Sequence, residues 1–246
     1  MNESLVIIPT FNECENVADI IGAVFSLSEP FDVLIIDDNS PDGTADIVKE
    51  LQEAYNGLFL LQREGKLGLG TAYIAGFEYA LERGYNYIFE MDADFSHNPE
   101  DLVPLLHACS EQGNDMAIGS RYIKGVNVVN WPMGRVLMSY CASLYVRLIT
   151  GLPINDSTAG FKCYHRRVLE TINPKKSIHF IGYAFQIEMK FNAWKHGFKI
   201  KEVPIIFTDR ARGQSKMSPS IFREAVLGVI EMKVRSLFRK YQPVAV

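Results

Sequence analysis

Residues 5–38 read LVIIPTFNECENVADIIGAVFSLSEPFDVLIIDD, and this stretch decides the class of fold. Leu5 to Ile8 and Val33 to Ile36 are short, unbroken apolar runs rich in β-branched residues, each closed by polar turn formers. Strands covered on both faces have this character. Between them Val17, Ile20, Ile21, Val24 and Phe25 recur at helical spacing, with Asn12-Glu13 ahead of them as a cap region. The stretch is therefore a β-α-β unit. Working outward, the alternation continues as helix Asp46 to Tyr55, strand Gly57 to Gln62, helix Thr71 to Arg83, strand Tyr87 to Met91, helix Pro99 to Gln112 and strand Met116 to Ile118. Such alternation predicts an α/β fold with a Rossmann-like, mostly parallel sheet flanked by helices. Ligands of these sheets bind at the carboxyl ends of strands. The polar clusters Pro9 to Glu13, Asp37 to Thr44 and Asp92 to His97 are accordingly expected to share one crevice.

Beyond Tyr122 the rhythm changes. An amphipathic stretch (Trp131 to Ile149) leads to a polar loop (Asn155 to Lys162), a helix (Phe185 to His196), a strand (Lys199 to Phe207) and a basic tail. No internal repeat or linker divides the 246 residues, of which 48% are hydrophobic, so one folded unit is expected. A formal charge of -4 exerts no general pull on nucleic acid, and any anionic ligand must be met locally. Cys14, Cys109, Cys141 and Cys163 form no C-x-x-C pair and read as reduced core thiols of a cytosolic protein. Ser4 to Ile8 lacks the basic start and cleavage site of a signal peptide. The longest apolar-leaning stretch, Val136 to Ile149, falls short of the roughly 20 residues that span a bilayer.

The strongest chemical signal is Asp92-Ala93-Asp94, directly after the strand Tyr87 to Met91. Two carboxylates one residue apart at a strand end present oxygens to a hard divalent cation, which a diphosphate also ligates. Solvated turn carboxylates give the same short pattern. Asp37 and Asp38 end the second strand in IIDDNSPDGT (35–44); one of them can accept hydrogen bonds from a nucleobase, or both can simply cap the turn. Gly65-Lys66-Leu67-Gly68-Leu69-Gly70-Thr71 matches neither a Walker loop nor G-x-G-x-x-G, because Tyr73 replaces the third glycine. It reads as a helix-entry loop near a nucleotide, with Lys66 as a diphosphate candidate.

These pieces, in this order, resemble the inverting nucleotide-sugar transferases of the GT-A fold, and within them the dolichol-phosphate (polyprenol-phosphate) mannosyltransferase branch of family 2. The resemblance is carried by Pro9 to Glu13, Asp37 to Thr44, Asp92 to His97, Gly119 to Tyr122, Ser157 to Lys162 and Arg210 to Lys216. It implies a single GT-A catalytic domain over 1–246, with a nucleotide-sugar half at 1–122 and an acceptor half at 123–246. Pro9, Phe11, Glu13, Ile36, Asp38 and Ala93 would line the nucleotide-sugar pocket, and Asp92 and Asp94 would hold Mg2+ or Mn2+ on the diphosphate. Arg121, Arg135 and Ser139 match positions that bind the lipid phosphate. Arg210 and Lys216 match positions that close over the donor. Asp94 and Arg121 are the expected catalytic pair. Ser96 stands where some relatives carry Gln, so its contact with the metal is open, and Gln186 and Glu188 fall on a helix near the acceptor.

The implied reaction is mannose transfer from GDP-mannose to a polyprenyl (dolichyl) phosphate, with inversion to a β-linked product. A UDP-glucose-type donor with the same acceptor is the nearest alternative. A phospho-acceptor receiver-like module, built on an acidic pair and a lysine, is the alternative outside sugar chemistry. Ile221, Phe222, Val226, Val229, Ile230, Val234, Leu237 and Phe238 make an apolar face on a helix expected over Pro219 to Tyr241. From Arg210 onward eight Lys/Arg face two Asp/Glu, which suits an interfacial helix on anionic headgroups. The expectation is peripheral association with the cytoplasmic face of a membrane, where a small membrane protein could also cover that face.

Overall fold

The structure is a computed structural model that describes residues 2–182, 184–209 and 219–241, the side chains of 219–225 excepted. In chain order its first half holds β1 (Ser4–Thr10), α1 (Val17–Phe25), β2 (Asp32–Asp37), α2 (Thr44–Leu51), β3 (Leu58–Gln62), α3 (Leu69–Arg83), β4 (Tyr87–Glu90), α4 (Leu102–Ser110) and β5 (Met116–Ser120). The second half holds β6 (Val128–Val129), α5 (Met133–Thr150), β7 (Lys162–His165), α6 (Arg166–Ile172), α7 (Pro174–Ser177), α8 (Ala184–Lys195), β8 (Ile200–Pro204), β9 (Phe207–Thr208) and α9 (Pro219–Phe238). Seven strands form one sheet in the order β3-β2-β1-β4-β7-β5-β8, while β6 and β9 pair separately. The predicted alternation up to β5 is observed, with ends shifted by a few residues.

The main sheet is parallel except for β7, which runs antiparallel between β4 and β5. This strand is absent from the sequence reading, which ended a polar loop at Lys162. Its KCYH sequence lacks the apolar run expected of a strand covered on both faces, because the buried Lys162 is matched by Glu90 of β4 rather than replaced by an apolar residue. The expected strand Lys199 to Phe207 is instead two pieces, β8 and β9, joined to different sheets.

Apolar clusters cover both faces of the sheet. On one, Leu5, Ile7, Leu34 and Ile36 pack with Tyr73 and Phe77 of α3 and Phe185 of α8. On the other, Val6, Ile8, Val33 and Ile35 pack with Ile20, Ile21 and Val24 of α1 and Leu105 of α4. Neighbouring strand residues thus serve opposite clusters, which is why both apolar runs are unbroken. The approach of α3 is so close that a Cβ at Gly76 would sit 2.7 Å from Ile7 Cγ2. Cys109 and Cys163 are buried as expected, whereas Cys14 is half-buried and Cys141 is exposed on α5. The core assignment therefore fails for those two, since one lies in a loop and the other on a helix face turned outward.

Candidate active site

The carboxyl edge of the sheet gathers the three polar clusters, and strand register determines how. Thr10 stands opposite Asp37 and Asp37 opposite Gln62, so the loops after β1, β2 and β3 meet. Asp37 accepts from Thr10 Oγ1 at 3.0 Å and from Ser40 at 2.6 Å, which spends it on the turn. Asp38 is gripped by Arg63, whose Nε and Nη2 lie 2.6 and 2.8 Å from its two oxygens. Arg63 also donates to Thr71 Oγ1 at 2.7 Å, tying the acidic turn to the start of α3. The sequence reading missed Arg63; its signal was its place one residue past β3, opposite the acidic pair. Lys66 lies 5.1 Å from the centre of the Phe11 ring, beside this group. Glu13 is buried and accepts from Asn16 Nδ2 at 2.9 Å. Pro9 is the penultimate residue of β1, and Ile36 is fully buried in the core.

A cavity of about 440 Å³ opens beside that edge. Its lining combines the polar Asp92, Asp94, Ser96, His97, Arg121, Arg135 and Ser139 with the apolar Met138, Tyr145, Val146, Val226 and Val229 of α5 and α9. Pro9, Phe11, Glu13, Ile36, Asp38 and Ala93 are not in this lining; the first five belong to the neighbouring edge around β1 and β2, while Ala93, between the two lining carboxylates, is buried in the apolar cluster beneath them. Between Asp94 and Ser96, Phe95 adopts φ 57°, a left-handed conformation that costs an aromatic residue roughly 1–2 kcal/mol. That turn aims Asp94 Oδ1 at Ser96 N, 3.1 Å away. Ser96 thus supports Asp94 through its backbone. His97 is buried and stacked on Phe161 at 4.8 Å, and burial pulls its pKa down to about 4. Its imidazole is neutral near pH 7.

Two buried layers of charge lie behind the cavity. Glu90 and Lys162 are paired directly across β4 and β7 and form a fully buried ion pair of 2.8 Å, with the Tyr164 hydroxyl donating to Glu90 at 2.6 Å. Burial lowers the Lys162 pKa and Glu90 opposes the shift without cancelling it. Lys190 of α8 donates to the carbonyls of Ser157, Ala159 and Gln186 at 2.8, 2.6 and 3.2 Å. It pins the loop that carries Thr158 and Gly160 into the cavity wall. Arg121 makes a two-pronged pair with Asp156, at 2.7 Å from Nε and 2.6 Å from Nη2. Burial alone would raise the Asp156 carboxyl, but the guanidinium overcomes it and holds the group below the usual carboxylate range. Arg135 pairs with Asp209 at 2.8 Å and lies over the Trp131 ring at 4.2 Å. Both arginines are oriented before any ligand arrives.

Gln186 lines the cavity, while Glu188, two residues on and outside the lining, is buried and accepts from His179 N at 2.9 Å and Phe180 N at 3.1 Å. Neither is an exposed helix residue. Gln186 Oε1 and Trp131 Nε1 are buried without a hydrogen-bond partner among the described residues, and both side chains line the cavity. Such orphaned atoms are expected where a ligand completes the site. Arg210 and Lys216 lie outside the described residues.

Among the described residues no cluster of three or more His, Cys, Asp or Glu could hold a metal by itself. The donor set at the cavity is two carboxylates, which fits a hard divalent cation only when diphosphate oxygens and water supply the remaining ligands.

A sheet of this order, with an acidic pair at its carboxyl edge and cationic side chains across one cavity, defines the GT-A class of nucleotide-sugar transferases. The chain belongs to Glycosyl transferase family 2, whose match spans residues 5–172. It is 46% identical over 94% of its length to polyprenol monophosphomannose synthase of Mycolicibacterium smegmatis, covering 87% of that protein. It is 44% identical over 92% of its length to undecaprenyl-phosphate mannosyltransferase of Micrococcus luteus, covering 91% of it. Its fold is similar, with a TM-score of 0.61, to a mannosyltransferase from Pyrobaculum calidifontis solved in complex with GDP-Man and Mn2+. That likeness, at 14% identity, covers 98% of this chain and 66% of the other, and shows the fold alone. Family membership makes the chain a glycosyltransferase and removes the receiver-module reading.

Proposed function

We propose that this glycosyltransferase moves mannose from GDP-mannose to a polyprenyl phosphate in a single inverting displacement. The observation that carries the reading is the two-character cavity, whose lining combines carboxylates and oriented arginines with apolar side chains of α5 and α9. An amphiphile with a phosphate head fits such a cavity, and both mannosyltransferase relatives are named for acceptors of this kind.

The acceptor phosphate is already an anion near neutral pH, so no side chain has to remove a proton from it. Its oxygen attacks the anomeric carbon of the α-linked mannose, the bond from that carbon to the diphosphate oxygen breaks, and GDP leaves. The product is a β-linked mannosyl phosphate. Arg121 and Arg135 bind and orient the acceptor phosphate, Arg121 through the plane that Asp156 fixes and Arg135 through the ion pair to Asp209. Ser139, in the same lining, adds a hydroxyl donor. Asp92 and Asp94 would hold Mg2+ or Mn2+, which supplies positive charge to the leaving diphosphate. Phe11, Glu13 and Asp38 form the surface for the nucleoside, and Arg210 and Lys216 are assigned to the donor diphosphate.

No described helix is long and apolar enough to cross a membrane. Instead α5 and α9, packed against each other, turn outward Met133, Leu137, Leu144 and Leu148, and Leu227, Val234, Leu237 and Phe238, the last 85% exposed. We assign this platform to the cytoplasmic surface of a bilayer, because each methylene of a lipid acceptor drawn into water costs about 0.8 kcal/mol.

The test incubates the purified protein with a panel of nucleotide sugars, with and without polyprenyl phosphate, and determines the anomeric configuration of the product by NMR. The expected product is β-mannosyl phosphate lipid, from GDP-mannose alone and only with metal. Preferential use of a UDP sugar, or a retained α configuration, overturns the assignment. Co-sedimentation with anionic vesicles tests the platform; full-length protein that stays in the supernatant points to a membrane-protein partner instead.

A further inference from the structure

Glu202 lies on β8, the edge strand of the main sheet, and contributes nothing to the cavity lining. It is nonetheless buried, at 9% exposure. Its Oε1 accepts from Ser120 Oγ at 2.8 Å and from Asp156 N at 2.9 Å. Its Oε2 accepts from Asn155 N at 2.9 Å and Asn155 Nδ2 at 2.8 Å. Four donors thus converge on one carboxylate, and two of them are backbone groups of consecutive residues. That grip fixes the peptide carrying Asp156. Asp156 in turn accepts from Arg121 N at 2.9 Å as well as from its Nε and Nη2. Ser120, the other donor to Glu202, immediately precedes Arg121 in the chain. The same carboxylate therefore holds both the residue before Arg121 and the residue that orients its guanidinium.

We propose that Glu202 is a positioning residue for the acceptor phosphate, acting through Asp156 to set the plane of Arg121. The inference rests on the assignment of Arg121 to that phosphate. A hydrophobic side chain at this position would fill the space but strand four donors. Glutamine is nearly isosteric, yet it turns one of the two oxygens into a donor. One pair of N–H or O–H groups then loses its acceptor, and a backbone N–H cannot turn to find another. The Asn155–Asp156 peptide shifts, and Arg121 loses its preset plane while its charge stays in the cavity.

The experiment measures acceptor KM, donor KM and kcat for Glu202→Gln, Arg121→Lys and the double variant, beside thermal unfolding of each. Glu202→Gln is expected to raise the acceptor KM about ten-fold and leave the donor KM within about two-fold. In the Arg121→Lys background the same change adds less than about two-fold, because the planar group that Glu202 serves is already gone. Donor and acceptor KM rising together, an unchanged acceptor KM, or a full multiplicative effect in the double variant each overturn the positioning role. An Arg121→Lys protein with unchanged acceptor KM shows instead that the assignment of Arg121 is wrong, and the role of Glu202 falls with it. If Glu202→Gln fails to fold, Asn155→Ala decides. It deletes one of the four donors, and the role requires an acceptor-only rise in KM.

Discussion

The two halves of the molecule present side chains to neighbouring sites but are held together by different forces. Around β1 to β3, polar residues are held where loops meet at strand ends, by bonds within a turn (Asp37 to Ser40, Asp42 to Thr44, Glu13 to Asn16) and by bonds between neighbouring loops (Thr10 to Asp37, Cys14 to Asp42, Arg63 to Asp38). The apolar sheet beneath them needs no charge. Around β7, α8 and β8 the polar residues are buried and bonded over long sequence distances, Glu90 to Lys162, Arg121 to Asp156 and Glu202 to Ser120. The same arginines and carboxylates that shape the acceptor wall also hold the fold there. The contrast predicts that the β1–β2 edge loses a single turn contact cheaply, whereas around β7, α8 and β8 the same buried groups set both cavity geometry and stability.

The hardest blow to that contrast is aimed at the buried pair. Lys162→Met leaves the Glu90 carboxylate without its cation in a fully buried site, and is expected to cost about 3–5 kcal/mol in denaturant unfolding. Adding Glu90→Gln should restore much of the loss, because the unpaired charge disappears. A single variant as stable as the parent would mean that the acceptor half does not depend on its buried charge.

Next in size is a change that should strike chemistry without touching stability. Asp94→Asn removes a charge from the pair proposed to hold the cation but keeps the size of the side chain and an acceptor for Ser96 N. Transfer is expected to fall about 100- to 1,000-fold at saturating donor, with the unfolding midpoint unchanged. Undiminished, metal-dependent transfer would remove Asp94 from the metal site.

Arg135→Ala sharpens the comparison further. The loss of a charged hydrogen bond, worth roughly 1.5–3 kcal/mol, is expected to weaken use of the acceptor about 10- to 100-fold while nucleotide affinity measured separately stays put. Equal losses on both substrates would move Arg135 to the donor side.

The smallest effect belongs to the donor half. Burial tends to raise the Asp42 carboxyl, but bonds from the Thr44 side chain and from the backbone and side chain of Cys14 bring it down to about 2. Its unfolded value is about 3.9, so its stabilisation is complete above that pH and disappears as pH falls through about 2. Asp42→Ala should cost about 0.5–2 kcal/mol near neutral pH, as loss of a helix-entry carboxylate does, and nothing at the acid end. A cost that persisted below pH 2 would show that packing, not charge, explains it.

The amino-acid pattern alone sufficed for the α/β class, the positions along the chain of the first five strands and the placement of the acidic clusters after strand ends. Those rest on local patterns, apolar runs such as Leu5 to Ile8 and turns such as Asp37 to Thr44, whose residue types alone show strand burial and chain reversal. It also marked Asp92, Asp94, Arg121 and Arg135, which do face one cavity. Only the tertiary structure revealed β7 as an antiparallel insertion, and with it the opposition of Glu90 to Lys162. Only it showed Arg63 gripping Asp38, Lys190 gathering three carbonyls and Glu202 standing behind Arg121. The physical reason is that a buried charge is tolerated only where partners from distant segments meet it, and a linear pattern contains no record of which segments those are.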